Sequence, residues 1–334
     1  MVVINYMKKI FYFYNEHLPK KTAHDTYIVN NCYGLSKYFN LSLYVGHRSL
    51  NNQNLQHHYD IKLTPSFSLK KNLLLRKSGP LKWSWNLPFF LSCQKVIRKL
   101  QPEIVILSVL KQASFHIQRK NPSTKYVYEI HQLNWYPGLP LNTPDINKEK
   151  NILQQFDLIT VTTQELKDIL RNPPYQLSNP IEIIPLATKS QSLKKAICKI
   201  PLRIFYVGQL YKEQGIDFLL KAWKKLPQSL PLELHIVGGS SKEITSLDKK
   251  IPNVYFHGFT SPGKLPNLLE QAHCFIAPFY CEGRMPFVAH TKIYEYLTWK
   301  RPIILPDIQH TRSLLKETKG ILFYTPNDVS SLNQ

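Results

Sequence analysis

The 334-residue chain carries 43 Lys and Arg against 22 Asp and Glu, a formal net charge of +21, with 43% hydrophobic and 12% aromatic residues. That apolar content excludes a disordered polymer, and the length accommodates two domains with cores of their own. A field of +21 favours phosphate-bearing partners, acidic polymers or an anionic membrane surface without choosing among them.

In chain order, residues 9–14 (KIFYFY) predict a first strand, 27–39 a helix, and 41–45 a strand. Residues 104–110 (IVILSVL), 126–130, 158–162 and 181–184 continue the strands, with helical intervals between several of them. Apolar strands separated by helices describe a parallel sheet covered on both faces. One stretch breaks the pattern: in residues 67–99, Lys70, Lys71, Arg76, Lys77 and Lys82 are interleaved with Trp83, Trp85, Phe89 and Phe90. This composition suits a segment lying on anionic lipid, or a solvated helix whose aromatics enter the core.

A polar connector follows Lys189, and the pattern restarts with a strand at 202–207 (LRIFYV). Ile216, Leu219, Leu220 and Trp223 then fall on one helical face, and 232–237, 254–257, 274–277 and 303–305 predict further strands. The fold class is therefore α/β, two Rossmann-like domains facing a cleft, with domains expected at 1–195 and 196–334. Charge divides unevenly between them, residues 1–200 holding 27 basic and 11 acidic side chains and residues 201–334 holding 16 and 11. The basic N-terminal half is expected to meet the acidic partner.

Five cysteines in no zinc-type spacing read as free thiols of a reducing compartment. No stretch approaches the roughly 18 to 20 apolar residues of a spanning helix, and the opening MVVINYMKKIFYFYNE does not read as a secretion signal. The expected location is cytoplasmic, peripheral on the inner face of the membrane. No zinc-finger, RNP-type or helix-turn-helix signature supports nucleic-acid binding.

In open α/β sheets ligands bind beyond the carboxyl ends of strands, so the residues just after strands carry the interest. The strand LRIFYV ends in Gly208 and the turn GQLYKEQG, where backbone N–H groups and Lys212 could meet a diphosphate. Gly238 begins a second glycine turn after a strand. In the stretch APFYCEGRMPFVAHTKIYEYLTWKRPIILP, Glu282 lies in a loop, Thr291 is a candidate N-cap, and Glu295 sits on the following short helix. Two carboxylates framed by strand, loop and helix suit a hydroxyl-rich ligand, since each can accept hydrogen bonds from vicinal hydroxyls.

The run FYVGQLYKEQGIDFLLKAW, followed by LHIVGG, NVYFHGF, PFYCEG, KIYEYL and RPIILPD, resembles the donor-binding half of retaining glycosyltransferases of family 4, the glycosyl transferases group 1 type with the GT-B fold. KIFYFYNE, YVYEIHQ, FDLITVTTQELKDIL and IEIIPLAT in the first half are consistent with it. The resemblance implies transfer of a sugar from a nucleotide diphosphate sugar to a lipid-linked or cell-envelope glycan, without metal or other cofactor. It implies that Glu282 meets the sugar hydroxyls, Glu295 the nucleotide ribose, and His131 the donor sugar, with Gly208 as the phosphate-loop glycine. Several departures stand out. Gln209 and Gln214 occupy positions where that family usually has Arg and Lys, leaving Lys212, Arg284 or Lys292 to supply the charge. Glu295 lies thirteen residues after Glu282, whereas eight is common; the eighth is His290. The usual glycine-rich loop after the first strand is replaced by LPKKTAHD, whose Thr22 and His24 are candidates for the acceptor side. The chain also ends before the family's usual terminal helix. Gln209, Gln214 and that short end allow an alternative, a degenerate GT-B protein acting as a binding or scaffold subunit.

Overall fold

The structure is a computed structural model that describes residues 7–19, 23–59, 61–72, 86–188, 200–240, 243–244, 250–261 and 263–334. The chain divides into two compact units, Met1–Pro185 and Leu186–Gln334. Divided there, the units hold 23 basic and 11 acidic residues against 20 and 11, because Lys189, Lys194, Lys195 and Lys199 of the connector fall on the second side. The charge asymmetry counted at residue 200 is thus narrowed by four lysines of one short segment.

Unit 1 comprises β1 (Lys9–Phe13), α1 (Ala23–Leu35), β2 (Asn40–Gly46), α2 (Asn52–Tyr59), β3 (Phe67–Asn72), α3 (Leu87–Leu100), β4 (Ile104–Leu107), α4 (Leu110–Ile117), β5 (Lys125–Glu129), α5 (Thr143–Leu153), β6 (Leu158–Val161), α6 (Gln164–Arg171) and β7 (Ile181–Ile183). All strand pairs are parallel, in the order β3-β2-β1-β4-β5-β6-β7. Strand β1, in the interior of the sheet, is buried on both faces, as a covered parallel sheet requires. Its Ile10 and Tyr12, with Tyr14 just after the strand, pack with Ile28, Val29 and Cys32 of α1. Its Phe11 and Phe13 project the other way, Phe13 stacking on His116 of α4 at 5.9 Å, and Phe90 of α3 meets the same imidazole.

Unit 2 comprises β8 (Leu202–Val207), α7 (Ile216–Trp223), β9 (Leu232–Val237), β10 (Val254–Gly258), α8 (Leu265–Leu269), β11 (Cys274–Ile276), α9 (Thr291–Thr298), β12 (Ile303–Pro306), α10 (Gln309–Leu315), β13 (Ile321–Tyr324) and α11 (Val329–Leu332). Its sheet runs β10-β9-β8-β11-β12-β13, again wholly parallel. In both units the strand order reverses beside the first strand, between β1 and β4 and between β8 and β11. These are the switch points at which such sheets open a crevice for ligand.

Several expectations are corrected. The first helix begins at Ala23 rather than residue 27, because Asp25 in its polar opening turn is fully buried and accepts a 2.7 Å hydrogen bond from Tyr14 Oη. Strand β4 ends at Leu107, and Val109 caps a helix starting at Leu110. Thr291 is the first residue of α9 rather than its cap, which is His290. In the basic aromatic stretch, Phe67–Asn72 forms an edge strand on β2, and α3 buries Phe89 and Phe90 in the core. Residues 73–85, with Arg76, Lys77, Lys82, Trp83 and Trp85, lie outside the described residues. No helix among the described residues is long and apolar enough to cross a membrane.

Candidate active site

At the switch point of unit 2, the ends of β8 and β11 are joined from below by α9. Ile293 and Tyr296 bury one face of this helix. The Tyr296 hydroxyl accepts a 2.8 Å hydrogen bond from the Val207 N–H at the end of β8 and donates to Ile276 O at the end of β11, 3.3 Å away. The next residues of both strands are loops, and glycine sets their path. A Cβ on Gly238 would stand 1.9 Å from Gly208 O, so the turns after β8 and β9 touch backbone to backbone. Gly215, at φ 69°, closes the β8 loop; a Cβ there would meet Pro278 O at 2.0 Å. Tyr280 N–H donating to Glu213 O (3.1 Å) and Arg284 pairing with Glu213 Oε2 (2.9 Å) stitch the β11 loop to the β8 loop.

Lys292, on the first turn of α9, reaches the base of this seam. It is 8% exposed, yet its Nζ donates to neutral oxygens: Tyr206 Oη at 3.0 Å and the Gln214 carboxamide oxygen. The ammonium also lies 4.1 Å from the Tyr206 ring centroid. A Cβ on Gly208 would come within 3.1 Å of Lys292 Nζ, which shows how closely the ammonium approaches the loop that begins the seam. Burial lowers the lysine pKa to about 7 against the opposing field of Glu295; burial raises Glu295 to about 7 against the field of Lys292. A buried ammonium whose hydrogen-bond partners are uncharged is a site at which an anion is favoured, since leaving it unbalanced is costly.

The remaining expected residues divide by exposure. Gln209 is exposed and its carbonyl accepts from Tyr206 Oη; Lys212 and Glu282 are exposed, with no side-chain hydrogen bond or ion pair among the described residues. Gln214 is 7% exposed, its amide donating to Tyr211 Oη at 2.8 Å. His290, eight residues after Glu282, stacks on Phe279 at 3.8 Å and shares a 2.9 Å hydrogen bond with Met285 O; burial pushes its pKa down to about 3. It is a neutral imidazole filling the loop, whereas Glu295 is half-buried beside Lys292.

In unit 1 the residues after β5 gather a second constellation. His131 Nε2 lies 3.0 Å from Glu129 Oε1, and the carboxylate is 5% exposed. Glu129 Oε2 accepts from Tyr12 Oη (3.3 Å) and Asn31 Nδ2 (3.2 Å). Burial works to raise the Glu129 pKa, but the hydrogen bond and charge of His131, with the Tyr27 and Tyr12 hydroxyls, outweigh it and hold the group below its ordinary value. The His131 ring meets His24 edge-on at 4.5 Å and Tyr27 at 5.0 Å, so two histidines expected at separate sites share one cluster. Thr22 lies outside the described residues. Glu129 was not among the expected residues, although the sequence holds a signal: positions i and i+2 of an extended strand share a face, and YEIH places Glu129 and His131 in that relation. Tyr206 and Tyr296 carry no such signal, since their partners are 86 and 89 residues away in sequence.

Residues 201–334 match the family model described as Glycosyl transferases group 1. An uncharacterized glycosyltransferase of Methanocaldococcus jannaschii is 23% identical over 262 residues, 70% of this chain; the chain spans 62% of that relative's length. Among solved structures, sucrose-phosphate synthase from Thermosynechococcus elongatus superposes with a TM-score of 0.74 at 16% identity, covering 98% of this chain and 88% of that one. Anabaena HepE, in complex with UDP and glucose, gives 0.66 at 14% identity, covering 98% and 88%. The switch point of unit 2 thus lies within the residues, 201–334, that match the Glycosyl transferases group 1 model, and the chain has the fold of these glycosyltransferase structures.

Proposed function

We propose that the chain is a glycosyltransferase that takes a sugar from a nucleoside diphosphate donor held by unit 2 and passes it, with retention of configuration, to a hydroxyl of a lipid-linked or cell-envelope glycan. The observation that carries this reading is Lys292. The family resemblance expects cations at 209 and 214, where this chain has glutamines; Lys292 brings an ammonium from α9 onto the carboxamide of Gln214 itself. The charge reaches the loop from another element. As the bond between the sugar and the β-phosphate oxygen breaks, negative charge grows on the diphosphate, and a preorganised cation in a dry site stabilises that change most. Arg284, tied to Glu213 of the same loop, and exposed Lys212 add to the field. These side chains do the phosphate work without metal in this reading.

Glu295 is assigned to the ribose and Glu282 to the sugar hydroxyls. His131, oriented by Glu129, is assigned to the transferred sugar, and His24 to the acceptor side. The test is a thermal-shift panel of UDP, GDP and ADP and their hexose conjugates, followed by transfer assays. A ligand at a hundred times its Kd stabilises by about 2.7 kcal/mol, so binding is easily read. Stabilisation by one nucleotide family, weakened in Lys292→Met, supports the reading; indifference to every nucleotide would leave the scaffold alternative favoured by Gln209 and Gln214.

A further inference from the structure

Helices α3 and α4 lie side by side on one face of the first sheet, and neither contains an Asp or Glu. Along α3, Leu87, Leu91, Lys95 and Arg98 follow one stripe at i, i+4, i+8 and i+11, about 16 Å long at the helical rise. Leu87 is 46% and Leu91 54% exposed. Beside them a groove of about 470 Å³ is lined by Leu91 and Phe115 together with Lys95, Arg98, Lys99 and Arg119. Gln94 donates to Arg119 O (2.9 Å) and shares a hydrogen bond with buried His116 Nδ1 (2.8 Å), while the Arg119 guanidinium stacks over Phe115 at 4.3 Å.

We propose that this α3–α4 face docks on an anionic lipid surface, with Leu87 and Leu91 entering the headgroup region and Lys95, Arg98, Lys99 and Arg119 meeting lipid phosphates. Charge complementarity selects an anionic partner, since three cations stand on α3 and Arg119 lies just beyond the end of α4, and neither helix carries a carboxylate. The leucines then separate the candidates: a nucleic-acid backbone would engage the cations but give exposed Leu87 and Leu91 nothing apolar to enter, whereas a bilayer interface receives both. The inference goes beyond the transfer reading and stands without it, because docking is measured with no donor present.

The experiment is co-sedimentation of the full chain with vesicles of phosphatidylcholine alone or mixed with phosphatidylglycerol, across a salt series. Sedimentation only with phosphatidylglycerol, released by salt, is expected. Each groove cation removed should weaken binding about fivefold, and Lys95→Glu with Arg98→Glu should abolish it. Leu91→Ser should retain the salt dependence but bind several-fold more weakly, with nucleotide stabilisation unchanged in every variant. Equal sedimentation of wild type and the double variant would overturn the proposal. So would binding to duplex DNA or heparin that outcompetes the vesicles and ignores Leu91→Ser.

Discussion

The two units use one strand order to present buried charges of opposite sign. At the carboxyl end of the first sheet the buried group is a carboxylate, Glu129, surrounded by the hydroxyls of Tyr12 and Tyr27, the amide of Asn31 and the imidazole of His131. At the corresponding end of the second it is an ammonium, Lys292, held by a phenol and a carboxamide. Glu129 is balanced by its own shell and serves to orient a neighbour. Lys292 is hydrogen-bonded to neutral groups and lies in the field of Glu295. Net charge does not report this difference, since both units are basic at their surfaces and differ little once the connector lysines are assigned.

The comparison can be broken at either end. The largest effect is expected at Lys292. Lys292→Met keeps most of the buried stem and removes the charge, and should lower kcat/KM by about a hundredfold or more, the range for loss of one preorganised electrostatic group. Retained activity would return the phosphate role to Lys212 and Arg284. Glu129→Gln keeps the shape of the orienting group and removes its charge. It should lower kcat about tenfold while leaving the KM for donor within about twofold, the pattern for a group acting through the transition state rather than donor binding. An equal loss in Glu129→Gln and Lys292→Met, both in KM, would mean that the two charges do not have separate roles. Lys212→Ala should be the mildest. An exposed lysine without a fixed partner is worth under about 1 kcal/mol, so kcat/KM should fall less than about fivefold.

The strands were legible because a covered parallel sheet leaves short apolar runs, and 202–207 and 232–237 coincide with β8 and β9. The two missed strands lie at sheet edges. In β3 (FSLKKN) the edge position admits lysines that break the apolar run, and β13 (ILFY) leaves Leu322 57% exposed. At the site, Gly208 and Gly238 were readable as glycines after strands, although the reason Gly238 cannot carry a side chain, the carbonyl of Gly208, is a contact between two loops. Lys292 was readable as a cation near a carboxylate. That it lands on Gln214, 78 residues away, depends on how α9 docks beneath β8 and β11, and side-chain pattern does not encode docking depth.

The central claim is that the Lys292 ammonium is the anchor for a nucleoside diphosphate, and calorimetry of UDP, GDP and ADP binding in buffers of different ionisation enthalpy tests it most directly. Burial holds the Lys292 pKa at about 7, so above that value the amine is mainly neutral before ligand binds; a bound diphosphate favours the charged amine and raises the pKa. Binding near pH 8 should therefore take up a substantial fraction of one proton, and less as the pH falls below about 7. Lys292→Met should bind the same nucleotide more weakly and with the uptake reduced. Wild-type binding with no proton uptake, or Lys292→Met binding with unchanged affinity and unchanged uptake, would contradict the account.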